Sequence, residues 1–156
     1  MTNSIKIRGA VPDEAELLSS LALRSKAHWG YPEDMVSSFA VELTIQPNQI
    51  ESDEFDYVVA EDSSAVLGFY AIERGSSTNF ELEALFVDPE YIGQGLGRRL
   101  MQHAIENVKA KGGKHLVIQG DPNAESFYLA AGGKQIGDRE SESVPGRFLP
   151  LFEIDI

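Results

Sequence analysis

The sequence predicts an α/β fold of the α+β type: a mixed, mainly antiparallel sheet of six to seven strands flanked by about four helices. Three observations predict it. Segments with strand character around residues 57–60, 65–72 and 80–87 follow one another across short turns, the pattern of an antiparallel meander. Leu96, Leu100, Ala104, Ile105 and Val108 then recur at helical spacing. The strand Phe80 to Val87, that helix and the strand His115 to Gln119 together make a crossover unit, so the two strands are expected to be parallel neighbours.

The elements can be justified in order. Ile5, Lys6, Ile7 and Arg8 alternate as a short first strand. Pro12, Asp13 and Glu14 put a proline and two acids where a helix N-terminus favours them. Leu17, Leu18, Leu21 and Ala22 continue that helix until the segment ending Trp29-Gly30-Tyr31-Pro32 breaks it. A second helix is expected from Glu33 to about Leu43, with Met35, Phe39 and Leu43 inward, and Gln46-Pro47-Asn48 reads as a turn. Tyr57 to Ala60 and Ala65 to Ile72 form a hairpin around Asp62-Ser63-Ser64, and Asp88-Pro89 ends the third strand of the meander. The helix from Leu96 closes at Gly112-Gly113, where a left-handed cap is wanted. A short helix from Asn123 to about Ala131 stops at Gly132-Gly133, and strands near Lys134 to Gly137 and Phe148 to Ile154 complete the chain. No repeat, low-complexity tract or linker interrupts it, so residues 1–156 are expected to form one domain.

Composition narrows the function classes. A hydrophobic share of 42% and a charged share of 24% are those of a globular protein, and no apolar run approaches the roughly 20 residues that span a bilayer. The segment Met1 to Lys6 lacks the basic and apolar parts of a secretory signal, so a cytoplasmic, membrane-free protein is expected. Without cysteine there is no disulfide, no thiolate metal site and no acyl-cysteine intermediate. A formal charge of −12 opposes nucleic acid, whose affinity comes largely from Lys and Arg neutralising phosphates.

The chemistry concentrates in Leu85 to Leu100. Gly93, Gly95 and Gly97 stand at alternate positions between a strand and a helix, where main-chain N–H groups can turn into one concavity and form an anion nest. The helix N-terminus adds roughly half a positive charge and Arg98 or Arg99 a full one, which suits a pyrophosphate. A tight turn with close helix packing explains the glycines equally well when they are taken alone. A dinucleotide fingerprint fits poorly, because its third glycine position falls on Leu100 or Arg98. No Gly-Lys-Ser/Thr follows, which excludes a P-loop.

The strand, Val87-Asp88-Pro89-Glu90-Tyr91, the glycine loop and the helix resemble motif A of the GNAT acetyltransferases. The family pattern, Arg/Gln-x-x-Gly-x-Gly/Ala, lands on Ile92, Gly95 and Gly97, with Ile92 departing from its basic or amide first position. Asn123 to Gly133 is similar to the family's motif B, with one residue fewer after the Asn and Gly133 replacing the final aromatic. The two matches cover about Phe80 to Ile136.

The resemblance implies an N-acetyltransferase that uses acetyl-CoA as cosubstrate, held between two splayed parallel strands, those of Val87 and Ile118, while an amine attacks the thioester directly. The cofactor-binding residues it implies are Leu85, Phe86 and Val87 on the strand, the run Ile92, Gly93, Gln94, Gly95, Leu96, Gly97 and Arg98, and Asn123 and Phe127. An ammonium with a pKa of about 10 must lose a proton before it attacks. Glu81 and Glu83, two apart and therefore on one strand face, are candidates for that base or for a solvated acidic face, with Glu81 slightly favoured by its distance from Val87. Tyr128 occupies the family's general-acid position, with core packing as its alternative role. Trp29-Gly30-Tyr31 fits a substrate lid or a hydrophobic plug, and Pro145 to Pro150 fits the acceptor site or a homodimer contact. The three histidines lack metal-ligand spacing, and the weighed alternative function is a non-catalytic acyl-CoA-binding module.

Overall fold

Residues 4–156 are described by the computed structural model; Met1, Thr2 and Asn3 of the N-terminal segment considered above lie outside them. Seven strands form one sheet in the order β1-β2-β3-β4-β5-β7-β6. They are β1 (Lys6–Gly9), β2 (Phe55–Glu61), β3 (Val66–Arg74), β4 (Asn79–Val87), β5 (His115–Gln119), β6 (Lys134–Glu140) and β7 (Phe148–Asp155). Every neighbouring pair is antiparallel except β4 and β5, the parallel pair that the crossover demands. The helices are α1 (Ala15–Ala27), α2 (Glu33–Glu42), α3 (Pro47–Glu51), α4 (Leu96–Ala110) and α5 (Glu125–Ala130).

Five helices stand where about four were expected, because α3 occupies the stretch read as a turn. Pro47 takes its first position and the Gln49 side chain accepts the Gln46 amide at 2.7 Å, a capping arrangement that organises a helix too short to show periodicity. The edge strand β6 runs to Glu140, beyond the expected Gly137; backbone pairing with β7 extends it although all seven residues are exposed. Among the described residues no helix is long and apolar enough to cross a membrane.

Side chains pack on both faces of the sheet, which explains why β2 and β3 read as nearly continuous apolar runs. Val58, Ala60, Tyr70 and Ile72 meet Leu100, Ala104 and Val108 of α4 in one layer. Tyr57, Val59, Phe69 and Ala71 meet Leu18, Leu21 and Ala22 of α1 in the other. Leu17, part of the apolar run that marked this helix, is 47% exposed: it lies beside this stripe, which passes through Leu18 and Leu21.

One irregularity sets up the functional region. Ala71 pairs with Ala84 and Ile72 with Leu82, so Glu83 is the extra residue of a β-bulge. The bulge shifts the alternation of β4. Phe80 and Leu82 point to the α4 layer before it, and Leu85 and Val87 do so after it. Pairing with β5 ends at Leu82 and Ile118, while pairing with β3 continues to Val87 and Gly68. Past Leu82, β4 therefore has a strand on one side only.

Candidate active site

The opening between β4 and β5 is the mouth of a cavity of about 480 Å³, within the range of small-ligand sites. Its walls include Leu85, Phe86 and Val87 on the unpaired edge of β4, Ile118 and Gln119 at the end of β5, and Tyr128 on α5. Ile92, Gly93, Gly95, Gly97 and Arg98 close one end. Gly93 and Gly95 have φ of 88° and 82°, conformations that glycine adopts without the strain a side chain would bring. Gly97 lies against the Phe127 ring, which a Cβ there would touch at 3.5 Å, an ordinary van der Waals contact. The first bond of α4 runs from the Arg99 amide to the Gly95 carbonyl at 3.1 Å, which leaves the amides of Leu96, Gly97 and Arg98 as free helix N-terminal donors. Leu96 buries its side chain in the core, so its contribution to the cradle is its amide. Gln94 is exposed and its side chain is not part of the cavity wall.

A smaller, strongly polar cavity of about 160 Å³ abuts the first. Leu82, Glu83, Phe86 and Gln119 line both, so the bulge of β4 forms part of their common wall. Glu81 and Glu83 do share a face, as the sequence implied, and carboxylate oxygens of Glu73, Glu81 and Glu83 lie within 4.8 Å of one another. Glu81 is held by Arg139 in an ion pair. The Glu83 carboxyl is pushed up to about 9, first by the protein packed around it and then by Glu73 and Glu81, which make a second negative charge costly. Glu83 keeps solvent contact despite this packing, so the crowding of three acids carries the direction of the shift.

On the wall of the larger cavity, Tyr128 is buried, with its ring against Phe127 and Phe152. Burial, and then the charge of Asp121, push its hydroxyl up to about 12. Of the two roles open in the sequence, general acid and core packing, the ring contacts show the packing, and the residue also lines the larger cavity.

Residues 31–146 match the family described as Acetyltransferase (GNAT) domain. The chain belongs to the GNAT acetyltransferase family. As a GNAT protein it is an acetyl-CoA-dependent N-acetyltransferase, an acyltransferase. It is similar to the peptidyl-lysine N-acetyltransferase YjaB of Salmonella typhimurium, 28% identical over 96% of this chain and 97% of the relative. It is similar to the N-alpha-acetyltransferase RimI of Mycobacterium tuberculosis, 30% identical over 58% of this chain and 60% of the relative. Among solved structures, the PaiA N-acetyltransferase of Thermoplasma acidophilum in complex with coenzyme A superposes with a TM-score of 0.81, covering 98% of this chain and 99% of that one at 23% identity.

In this GNAT fold Asn123 is committed to the protein, donating to Asp121 Oδ1 at 2.9 Å and to the Tyr31 hydroxyl at 3.0 Å. Those two partners belong to a cluster that sequence reading did not assemble. Tyr31 donates to Asp121 Oδ2 at 2.7 Å, Lys26 pairs with the same carboxylate, and Arg147 Nη2 donates to the Tyr31 hydroxyl at 2.9 Å. Burial works to raise the Asp121 carboxyl, but Lys26, Tyr31 and the Asn123 amide prevail and hold it below the usual carboxylate range. Glu73 was missed as well, although it is the cross-strand partner of Glu81. Sequence spacing is equally blind to His115, Glu153 and Asp155, whose polar atoms meet across β5 and β7. His103 has an ordinary packing role, with Nδ1 2.8 Å from the Tyr70 hydroxyl.

Proposed function

We propose that this protein binds acetyl-CoA in the larger cavity and an amine in the smaller one, and transfers the acetyl group directly between them across the bulge of β4. The observation that carries this reading is the meeting of the two cavities at Glu83, beside a strand edge that has lost its partner. An unpaired edge at Leu85 to Val87 supplies main-chain groups for the amides of an extended pantetheine arm. The amides around Gly93 to Arg98 offer a nest for the diphosphate, so the loss of a polar first motif residue at Ile92 leaves the main-chain donors in place. Acetyl-CoA supplies the activated acyl group.

Glu83 serves as the base. With a carboxyl near 9 it is matched to an amine of pKa about 10, so the proton moves between partners of similar affinity. An entering ammonium also relieves the repulsion among Glu73, Glu81 and Glu83, which favours its arrival. The freed nitrogen attacks the thioester carbonyl carbon; the N–C bond forms, the C–S bond breaks, the first ammonium proton stays with Glu83, and the second proton lost by the nitrogen passes to the departing thiolate, which leaves a neutral amide and the coenzyme A thiol. Tyr128 donates a hydrogen bond to the departing sulfur. A phenol near 12 keeps its proton against a thiolate of pKa about 8.5, so it stabilises the charge without full transfer. The two relatives are named for different amines, a lysine side chain and an α-amine, which supports an amine acceptor and leaves its identity to the cavity of this chain. Calorimetric titration tests the reading: saturable heat is expected with acetyl-CoA, and no heat at millimolar cofactor would refute it.

A further inference from the structure

The smaller cavity carries three cations, and two of them are already satisfied. Lys26 pairs with Asp121 and Arg139 with Glu81. Arg147 alone of the three has no carboxylate partner among the described residues, and its Nη1 is a buried donor with no hydrogen bond. Nη2 is used on the Tyr31 hydroxyl, and the guanidinium stacks at 5.0 Å over the Tyr31 ring and 5.5 Å over Phe39. Three contacts thus hold the cation in place while one of its nitrogens stays unsatisfied. Arg147 as a whole is half-buried, but a buried N–H without an acceptor is costly. The same cavity presents Glu83, whose carboxylate suits an ammonium. Glu42 and Glu142 also border it, exposed, and neither pairs with Arg147.

Resting on the acetyltransferase reading above, we propose that the acceptor is a free amino acid, its α-ammonium at Glu83 and its own carboxylate on the Arg147 guanidinium. Arg147, which no carboxylate among the described residues engages, and the crowded acids Glu81 and Glu83 are of opposite sign and line one cavity, and a zwitterion complements both. The volume of about 160 Å³ lies below the roughly 300–1,000 Å³ of drug-sized sites and suits a molecule of amino-acid size. The acids at the border repel simple anions and acidic side chains, which favours amino acids with neutral or basic side chains. The products are the N-acetyl amino acid and free coenzyme A.

The test is thiol release from acetyl-CoA with common free L-amino acids, each beside its C-terminal carboxamide, and with an Ala-Gly-Gly peptide. A preferred acid is expected to exceed its carboxamide in kcat/KM by about tenfold or more, the scale of a lost charge-assisted hydrogen bond. Arg147→Met, which keeps an apolar contact with the two rings, should lower kcat/KM for the acid about tenfold more than for the carboxamide, with the difference in KM. Arg147→Lys should restore part of it. Carboxamide or peptide turned over as well as the acid, or an equal loss for both in Arg147→Met, overturns the proposal. If Arg147→Met does not fold, the wild-type comparison of acid with carboxamide decides alone. Wild type that binds acetyl-CoA but acetylates no free amino acid defeats this proposal only; wild type that does not bind acetyl-CoA defeats the reading beneath it as well.

Discussion

The two halves of β4 are one continuous strand in opposite surroundings. Phe80 to Leu82 have β3 on one side and β5 on the other, with Phe80 and Leu82 buried in the α4 layer. Leu85 to Val87 keep β3 but have a cavity where β5 would be. The difference turns on one inserted residue, Glu83, and it teaches that a sheet makes a binding edge by ending a pairing locally, at a bulge, without loosening the strand as a whole. The first half holds the fold together. The second half leaves one edge without a strand partner, beside the cavity.

The sharpest way to break this comparison is at the join. Glu83→Gln should lower kcat by about 10²- to 10⁴-fold, the range of a lost general base, whereas Glu81→Gln should cost less than about tenfold because Arg139 already engages that carboxylate. A larger loss for Glu81→Gln would move the base to the paired half. Next in size, Tyr128→Phe should slow turnover by about 10- to 100-fold, as expected for one hydrogen bond to a charged group, with the loss in kcat more than in KM. Gly95→Ala has open space for its Cβ but sits at φ 82°, so it should cost about 1–2 kcal/mol in strain and weaken acetyl-CoA several-fold in a titration.

The smallest effect concerns stability against pH. The Glu83 carboxyl is raised from its ordinary value to about 9, so between those values the folded protein holds a proton that the unfolded chain has released. The resulting stability is fully present below the unfolded value and is lost as pH rises through about 9. Glu83→Gln should therefore melt higher than wild type at pH 9 and by a smaller margin at pH 5, in thermal denaturation, even as it abolishes most activity. For the same reason wild-type turnover should climb as pH rises toward 9, where Glu83 gains its basic form.

Much of this was legible beforehand because periodicity and glycines are local signals. The parallel pair β4 and β5, the left-handed turn at Gly93 and Gly95 and the shared face of Glu81 and Glu83 all follow from neighbours in sequence. What was not legible depends on register and loop closure. Glu73 joins the acids only through its pairing with Glu81 across β3 and β4, and the bulge that marks Glu83 leaves no compositional trace. Arg147 reaches Tyr31 from 116 positions away, and a contact set by where two loops come to rest has no spacing to read. The stretch Pro145 to Pro150, which the sequence leaves open to the acceptor site or a dimer contact, borders the smaller cavity through Arg147 and Leu149. α3 was hidden by its length, since five residues cannot display a helical period.

Peptide-level hydrogen exchange with and without acetyl-CoA measures the divided strand most directly. Slowed exchange confined to peptides spanning Glu83 to Val87 and Gly93 to Arg98, with Asn79 to Leu82 unchanged, is the predicted result. Protection that appears elsewhere, while the Glu83 to Val87 edge exchanges at its free rate in saturating acetyl-CoA, would contradict the assignment of that edge as the cofactor's docking strand.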